Sequence, residues 1–171
     1  MHLPPIAVSV NVSARQFADK ELVRHVKAAL EKTGLEPKYL ELELTESMVM
    51  QDHHRALATM QELEAIGVRL SIDDFGTGYS RLSALKTFPL ARLKIDQSFV
   101  KGLASDTHDR AIAAAIISLA QKLKLRVVAE GVETDQQIQF LLENGCDEVQ
   151  GFHFSQALYA ADFADLLRAQ G

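Results

Sequence analysis

One cysteine, no long apolar run and no excess of basic charge set the first limits. Cys146 has no second cysteine to pair with, so no internal disulfide can staple the fold. A lone thiol suits a reducing compartment, and its natural place is among small buried apolar side chains. No stretch of about 18 uninterrupted apolar residues occurs, which leaves nothing to span a bilayer as a helix. The first residues, "MHLPPIAVSV", lack the basic region and cleavage site of a signal peptide, so a cytoplasmic location is expected. The formal charge of −5 argues against a broad nucleic-acid footprint, and neither a nucleic acid polymer nor a membrane is an expected partner. One small anionic ligand, neutralised by bound metal, stays open. Low-complexity tracts and long linkers are missing too, so residues 1–171 read as a single domain.

What is present is alternation. Short β-branched runs ("IAVSVNVS", "YLELELTE", "VRLSIDDF", "RLKIDQSF", "RVVAEGVE", "EVQGFHF") are separated by amphipathic stretches of helical length. These include "DKELVRHVKAALEKT", "HHRALATMQELEAI", "DRAIAAAIISLAQKLK" and "DQQIQFLLEN". That order predicts a parallel α/β fold. Gly34, Gly67 and Gly145 stand where helices should stop, and Thr134 with Gln137 resembles a capping box.

The polar residues of the strands gather near their C-terminal ends: Asn11, Glu43 with Glu46, Asp73 with Asp74, Lys94 with Asp96, Glu130 with Glu133, and Gln150. In parallel α/β folds those ends form one rim, where ligands bind. Carboxylates this close raise one another's pKa and oppose folding unless a counter-charge intervenes. Hard divalent cations supply it, since Mg²⁺ and Mn²⁺ prefer oxygen ligands. Asp73 beside Asp74 is a natural place for two such ions, an arrangement suited to phosphodiester hydrolysis with Lys94 as a further positive charge. Each residue also has a plainer reading. Paired aspartates before Phe-Gly-Thr-Gly can cap a turn, a lone lysine is usually solvated, and Glu133 suits a first helical turn. His53 and His54 read as surface at a helix start, and His153 as packed within a strand. The joint placement at successive strand ends favours the site.

The segments "VNVSARQF", "LELELTES", "SIDDFGTGYSRLSAL", "LKIDQSFV", "VVAEGVET" and "GCDEVQGFHFS", in this order, resemble the EAL domain, a family that hydrolyses the bacterial second messenger cyclic di-GMP. The resemblance implies a TIM-like barrel, a Mg²⁺- or Mn²⁺-dependent phosphodiesterase and pGpG as product. By motif it implies Asn11, Glu43, Asp73 and Asp74 as ligands of two metal ions. Lys94 would hold the attacking water, Glu130 would serve as general base or as a water-mediated metal contact, Glu133 would contact substrate, Gln150 would contact water or substrate, and Glu46 would anchor the glycine loop over 75–82.

The family's Glu-Ala-Leu run, with its metal-binding glutamate, does not occur upstream of Asn11, and Ala157 stands where the family usually has proline. About six of eight βα units are countable. The expectation is therefore an incomplete barrel, the larger C-terminal part of such a domain, weakly active or inactive alone. Its open edges should favour a homodimer or another edge-paired assembly. The alternatives are a non-catalytic cyclic di-GMP-binding or protein-interaction module, and a barrel enzyme of the enolase kind, which the glycine loop and the missing second rim lysine disfavour.

Overall fold

The computed structural model describes residues 5–77 and 82–170. Six strands form one sheet in chain order: β1 (Val8–Asn11), β2 (Leu40–Thr45), β3 (Arg69–Phe75), β4 (Arg92–Ile95), β5 (Arg126–Glu130) and β6 (Glu148–Gln150). Every neighbouring pair is parallel. Between and after them run α1 (Ala14–Phe17), α2 (Leu22–Thr33), α3 (Glu46–Gln51), α4 (His53–Ala65), α5 (Leu82–Leu85), α6 (Gln97–Lys101), α7 (Thr107–Lys122), α8 (Asp135–Glu143) and α9 (Ala160–Gln170). The result is the expected α/β half-barrel. Its expected strands are trimmed at their ends, among them β6, where residues 151–154 turn away. His153 consequently lies in a turn rather than a strand, exposed, with Nε2 3.5 Å from Asp135.

Period-two patterning sorts the strand residues onto two faces. Leu42, Leu44, Leu70, Ile72, Leu93, Ile95, Val127 and Ala129 are buried on the helix side. Met60 and Leu63 of α4, Ile116 and Ile117 of α7, and Phe140 and Leu141 of α8 belong to the same core. Burying each such side chain contributes roughly 1.5–3 kcal/mol before entropy is set against it. The other face carries Glu41, Glu43, Ser71, Asp73, Arg92, Lys94, Arg126, Glu130 and Glu148, so the interior of the half-barrel is polar.

Local signals hold where they rest on backbone chemistry. Gly34, Gly67 and Gly145 all take positive φ at helix ends, and Thr134 with Gln137 forms the capping box that opens α8. A second box, Ser13 with Gln16, opens α1. The helix α9 was not among the expected elements. Its Phe163 and Leu166, with Phe152 and Phe154, line an apolar groove of about 470 Å³ beyond β6.

Among the described residues β1 pairs only with β2 and β6 only with β5. Val8 and Val10, on the helix-side face of β1, are 45% and 44% exposed. Cys146 is buried as expected. Its thiol faces the carbonyl of Glu148 at 3.2 Å, and burial pushes its pKa up to about 11, so it stays protonated and unreactive near neutral pH.

Candidate active site

The rim is assembled by register. Asn11 ends β1 beside Glu43, its Cα partner on β2, while Thr45 is paired with Asp73 on β3. The ladder then slips between Ile72 and Phe75, and within that irregularity Asp74 adopts φ 54°. A left-handed aspartate costs backbone energy. Its consequence here is that both neighbouring carboxylates reach the same rim, where strict alternation would send one to the helix side. The Asp74 N–H donates to Asp73 Oδ1 at 3.0 Å, and its carbonyl accepts from the Thr77 hydroxyl at 2.8 Å.

Lys94 rises from β4 into the centre of these acids and is only 4% exposed. Its Nζ lies 2.7 Å from Glu43, 2.5 Å from Glu130 and 3.5 Å from Asp73. Burial alone would lower the pKa of this ammonium. The bonds to Glu130 and Glu43 and the charge of Asp73 outweigh it and hold the pKa above the usual lysine range. Glu130 is shifted up: burial raises it, Lys94 pulls it down, and the charges of Asp73 and Glu43 raise it further. Asp74 is also raised, by burial, by Asp73 and by a hydrogen bond to Asp96. Asp96 moves the other way. Burial opposes its ionisation, but Ser98 and Asp74 hydrogen-bond to its carboxylate and lower its pKa. Asp96 also caps α6, accepting from the Ser98 N–H at 2.9 Å.

One ammonium thus faces three carboxylates, and the next two carboxyls share a hydrogen bond. Oxygens of Asp73, Asp74 and Glu130 come within 4.8 Å of one another. Such an oxygen-rich, negatively charged cluster fits a hard divalent cation. Glu46, the first residue of α3 and 2% exposed, accepts the Gly76 N–H at 3.0 Å, tying the segment after Asp74 to the start of α3. Gly76 has φ 100°, and a Cβ there would stand 2.9 Å from Phe99, so both conformation and space require glycine. The rest of the loop expected over 75–82 lies partly outside the described residues. Glu133 and Gln150 stand to one side. With Gln97, Glu130, Gly131, Gly151 and Phe152 they line an adjoining cleft of about 250 Å³. Contacts therefore unite Glu43, Asp73, Lys94 and Glu130. Register alone brings Asn11 to them.

A family model described as the EAL domain matches residues 1–157. The chain belongs to the EAL domain family. This EAL domain sequence is 48% identical over 164 residues to the cyclic di-GMP phosphodiesterase NbdA of Pseudomonas aeruginosa, covering 96% of the chain and 21% of that protein. It is 50% identical over 145 residues to the bifunctional diguanylate cyclase/cyclic di-GMP phosphodiesterase MucR of the same organism, covering 85% and 21%. The chain spans about a fifth of the length of these relatives. The structure of the PaMucR phosphodiesterase in complex with c-di-GMP superposes with a TM-score of 0.90 at 47% identity, over 92% of this chain and 64% of that one. Klebsiella pneumoniae BlrP1 with manganese and cyclic di-GMP superposes with a TM-score of 0.80 at 31% identity, over 88% and 38%. Divalent metal binding by EAL domains is consistent with the acidic cluster seen here.

Two features of the EAL interior escaped the sequence reading. Asp96 was noted at the rim without a role, and "KID" spacing was the signal that could have assigned one. Below Lys94, Arg92 pairs with Glu41 and with Glu148, 3.1 Å away, and Glu148 also bonds Arg126 at 3.1 Å. Alternation in "LELEL" and "RLKI" does place Glu41 and Arg92 on the inner face. Which charge meets which is a matter of register.

Proposed function

We propose that this chain supplies most of the active site of a metal-dependent cyclic di-GMP phosphodiesterase, the larger part of one EAL barrel over residues 1–171. The observation that carries the reading is the convergence of Glu43, Asp73 and Glu130, from three strands, on Lys94, with Asp74 beside them. Asn11, Glu43, Asp73 and Asp74 would hold two Mg²⁺ or Mn²⁺ ions, which supply charge that acidifies water and offsets the phosphate. Lys94 then orients the attacking oxygen, and Glu130, 2.5 Å from the Lys94 ammonium, accepts its proton. Bond formation to phosphorus breaks the bond to the ribose 3′ oxygen, which takes a proton from solvent and leaves as the 3′ hydroxyl of linear pGpG. Glu133 and Gln150 contact the dinucleotide from the adjoining cleft, and Glu46 steadies the glycine segment.

The test is incubation with cyclic di-GMP and Mn²⁺, followed by separation of the nucleotides. The chain is assayed alone and joined to the upstream segment of a related EAL domain. pGpG is expected from the extended protein, lost in EDTA and reduced about a hundredfold or more by Asp73→Asn. Tight cyclic di-GMP binding without pGpG from either form would replace this reading by that of a binding module.

Assembly through open edges belongs to the same proposal. The sides of β1 and β6 that are unpaired among the described residues, and the apolar groove beside α9, favour pairing between copies. Size-exclusion chromatography with light scattering is expected to give a mass above that of one chain. A compact, stable monomer would refute it.

A further inference from the structure

The end of the half-barrel opposite the rim carries a surplus of positive charge in a chain whose net charge is −5. Arg69, Arg92 and Arg126 share the inner face on three successive strands. Arg69 is the Cα partner of Glu41, and Arg92 the partner of Arg126. Like charges side by side across a sheet repel and need acids between them. Glu41 and Glu148 provide two carboxylates, and the ion pairs of Arg92 and Arg126 use both. Arg69 and Lys124 have no acidic partner among the described residues. Together with Ala91, Arg92 and Arg126, these two line a polar cavity of about 370 Å³.

Lys124 adds a second observation. It follows the Leu123 cap of α7 with φ 61°, the left-handed conformation in which glycine would be the unstrained choice. A lysine there carries backbone strain and adds an exposed positive charge to the residues that line the cavity.

We infer that this cavity is an anion site for a phosphoryl group, either free phosphate or a phosphate monoester. Arg69 and Lys124 are its uncompensated cations, and Arg126 contributes guanidinium donors not engaged by Glu148. Two unpaired positive charges match a phosphate dianion, and guanidinium forks suit its oxygens. The site lies at the opposite strand ends from the carboxylate cluster and does not depend on the reading of that cluster.

Thermal unfolding of the chain in EDTA, at constant ionic strength balanced with chloride, tests it. The probes are inorganic phosphate and ribose 5-phosphate. Either should raise the Tm in a saturable way, and a rise with the sugar phosphate alone would assign the site to esterified phosphate. In Arg69→Gln/Lys124→Gly, which removes both cations and relieves the strained backbone, binding should weaken at least about tenfold. Asp73→Asn should keep the parent response, which separates this site from the rim. No rise with either probe, or an equal rise in the double variant, would overturn the inference.

Discussion

Arg92→Met is expected to unfold about 3–5 kcal/mol more easily than the parent, because Glu41 would be left charged and buried without its ion-pair partner. Glu41 is 2% exposed, and its ion-pair partner is Arg92. Glu148 would fare better, since it keeps Arg126 at 3.1 Å and is partly exposed. Burial alone would lower the pKa of Arg92; Glu41 and Glu148 overcome that and raise it, so the guanidinium is held firmly in its charged form. Urea unfolding followed by circular dichroism measures the loss. Glu41→Met/Arg92→Met removes both charges and should recover most of it, since well-packed apolar replacements of a buried pair are often neutral. A single variant within about 1 kcal/mol of the parent would mean that water reaches Glu41 freely.

Lys94→Met should produce the other large effect, and its sign depends on metal. Without the ammonium, Glu43, Asp73 and Glu130 face one another with no positive charge among them. In EDTA the variant should therefore lose about 3–5 kcal/mol. Mn²⁺ should restore more stability to the variant than to the parent, because a cation at the cluster takes over the neutralising role. Cyclic di-GMP hydrolysis by the extended domain should fall about a thousandfold and stay low at any Mn²⁺ concentration, if Lys94 orients the attacking oxygen as proposed. Equal Tm values for parent and variant in chelator would show that the carboxylates protonate at little cost. They would also remove the electrostatic argument for a metal.

The readability of this site varied residue by residue. Glu43, Lys94 and Glu130 were legible because each lies at or near the C-terminal end of a run whose alternate positions are apolar, which fixes the face. Asp73 and Asp74 were legible as a pair, yet only the irregular ladder and the φ of 54° explain how adjacent side chains serve one rim. His153 was misplaced because "EVQGFHF" keeps an apolar rhythm past Gln150. Gly151 sits against the Val132 backbone, and a Cβ there would lie 2.1 Å from its carbonyl, where the chain turns. The helix α9 escaped because its few apolar residues face a groove rather than a closed core. Amphipathic signals are strongest where both sides of an interface are present.

By itself, the sequence determined what is local and periodic: parallel α/β alternation, the helix stops at Gly34, Gly67 and Gly145, and the order of acids along the rim. Its motifs sufficed for the EAL family. Tertiary structure alone decided which charges meet. Strand register puts Lys94 among Glu43, Asp73 and Glu130, and Arg92 between Glu41 and Glu148. It leaves Arg69 and Lys124 as neighbours around a cavity. Coulomb energy depends on separations of a few ångströms between residues up to 56 positions apart, and no local pattern encodes those distances.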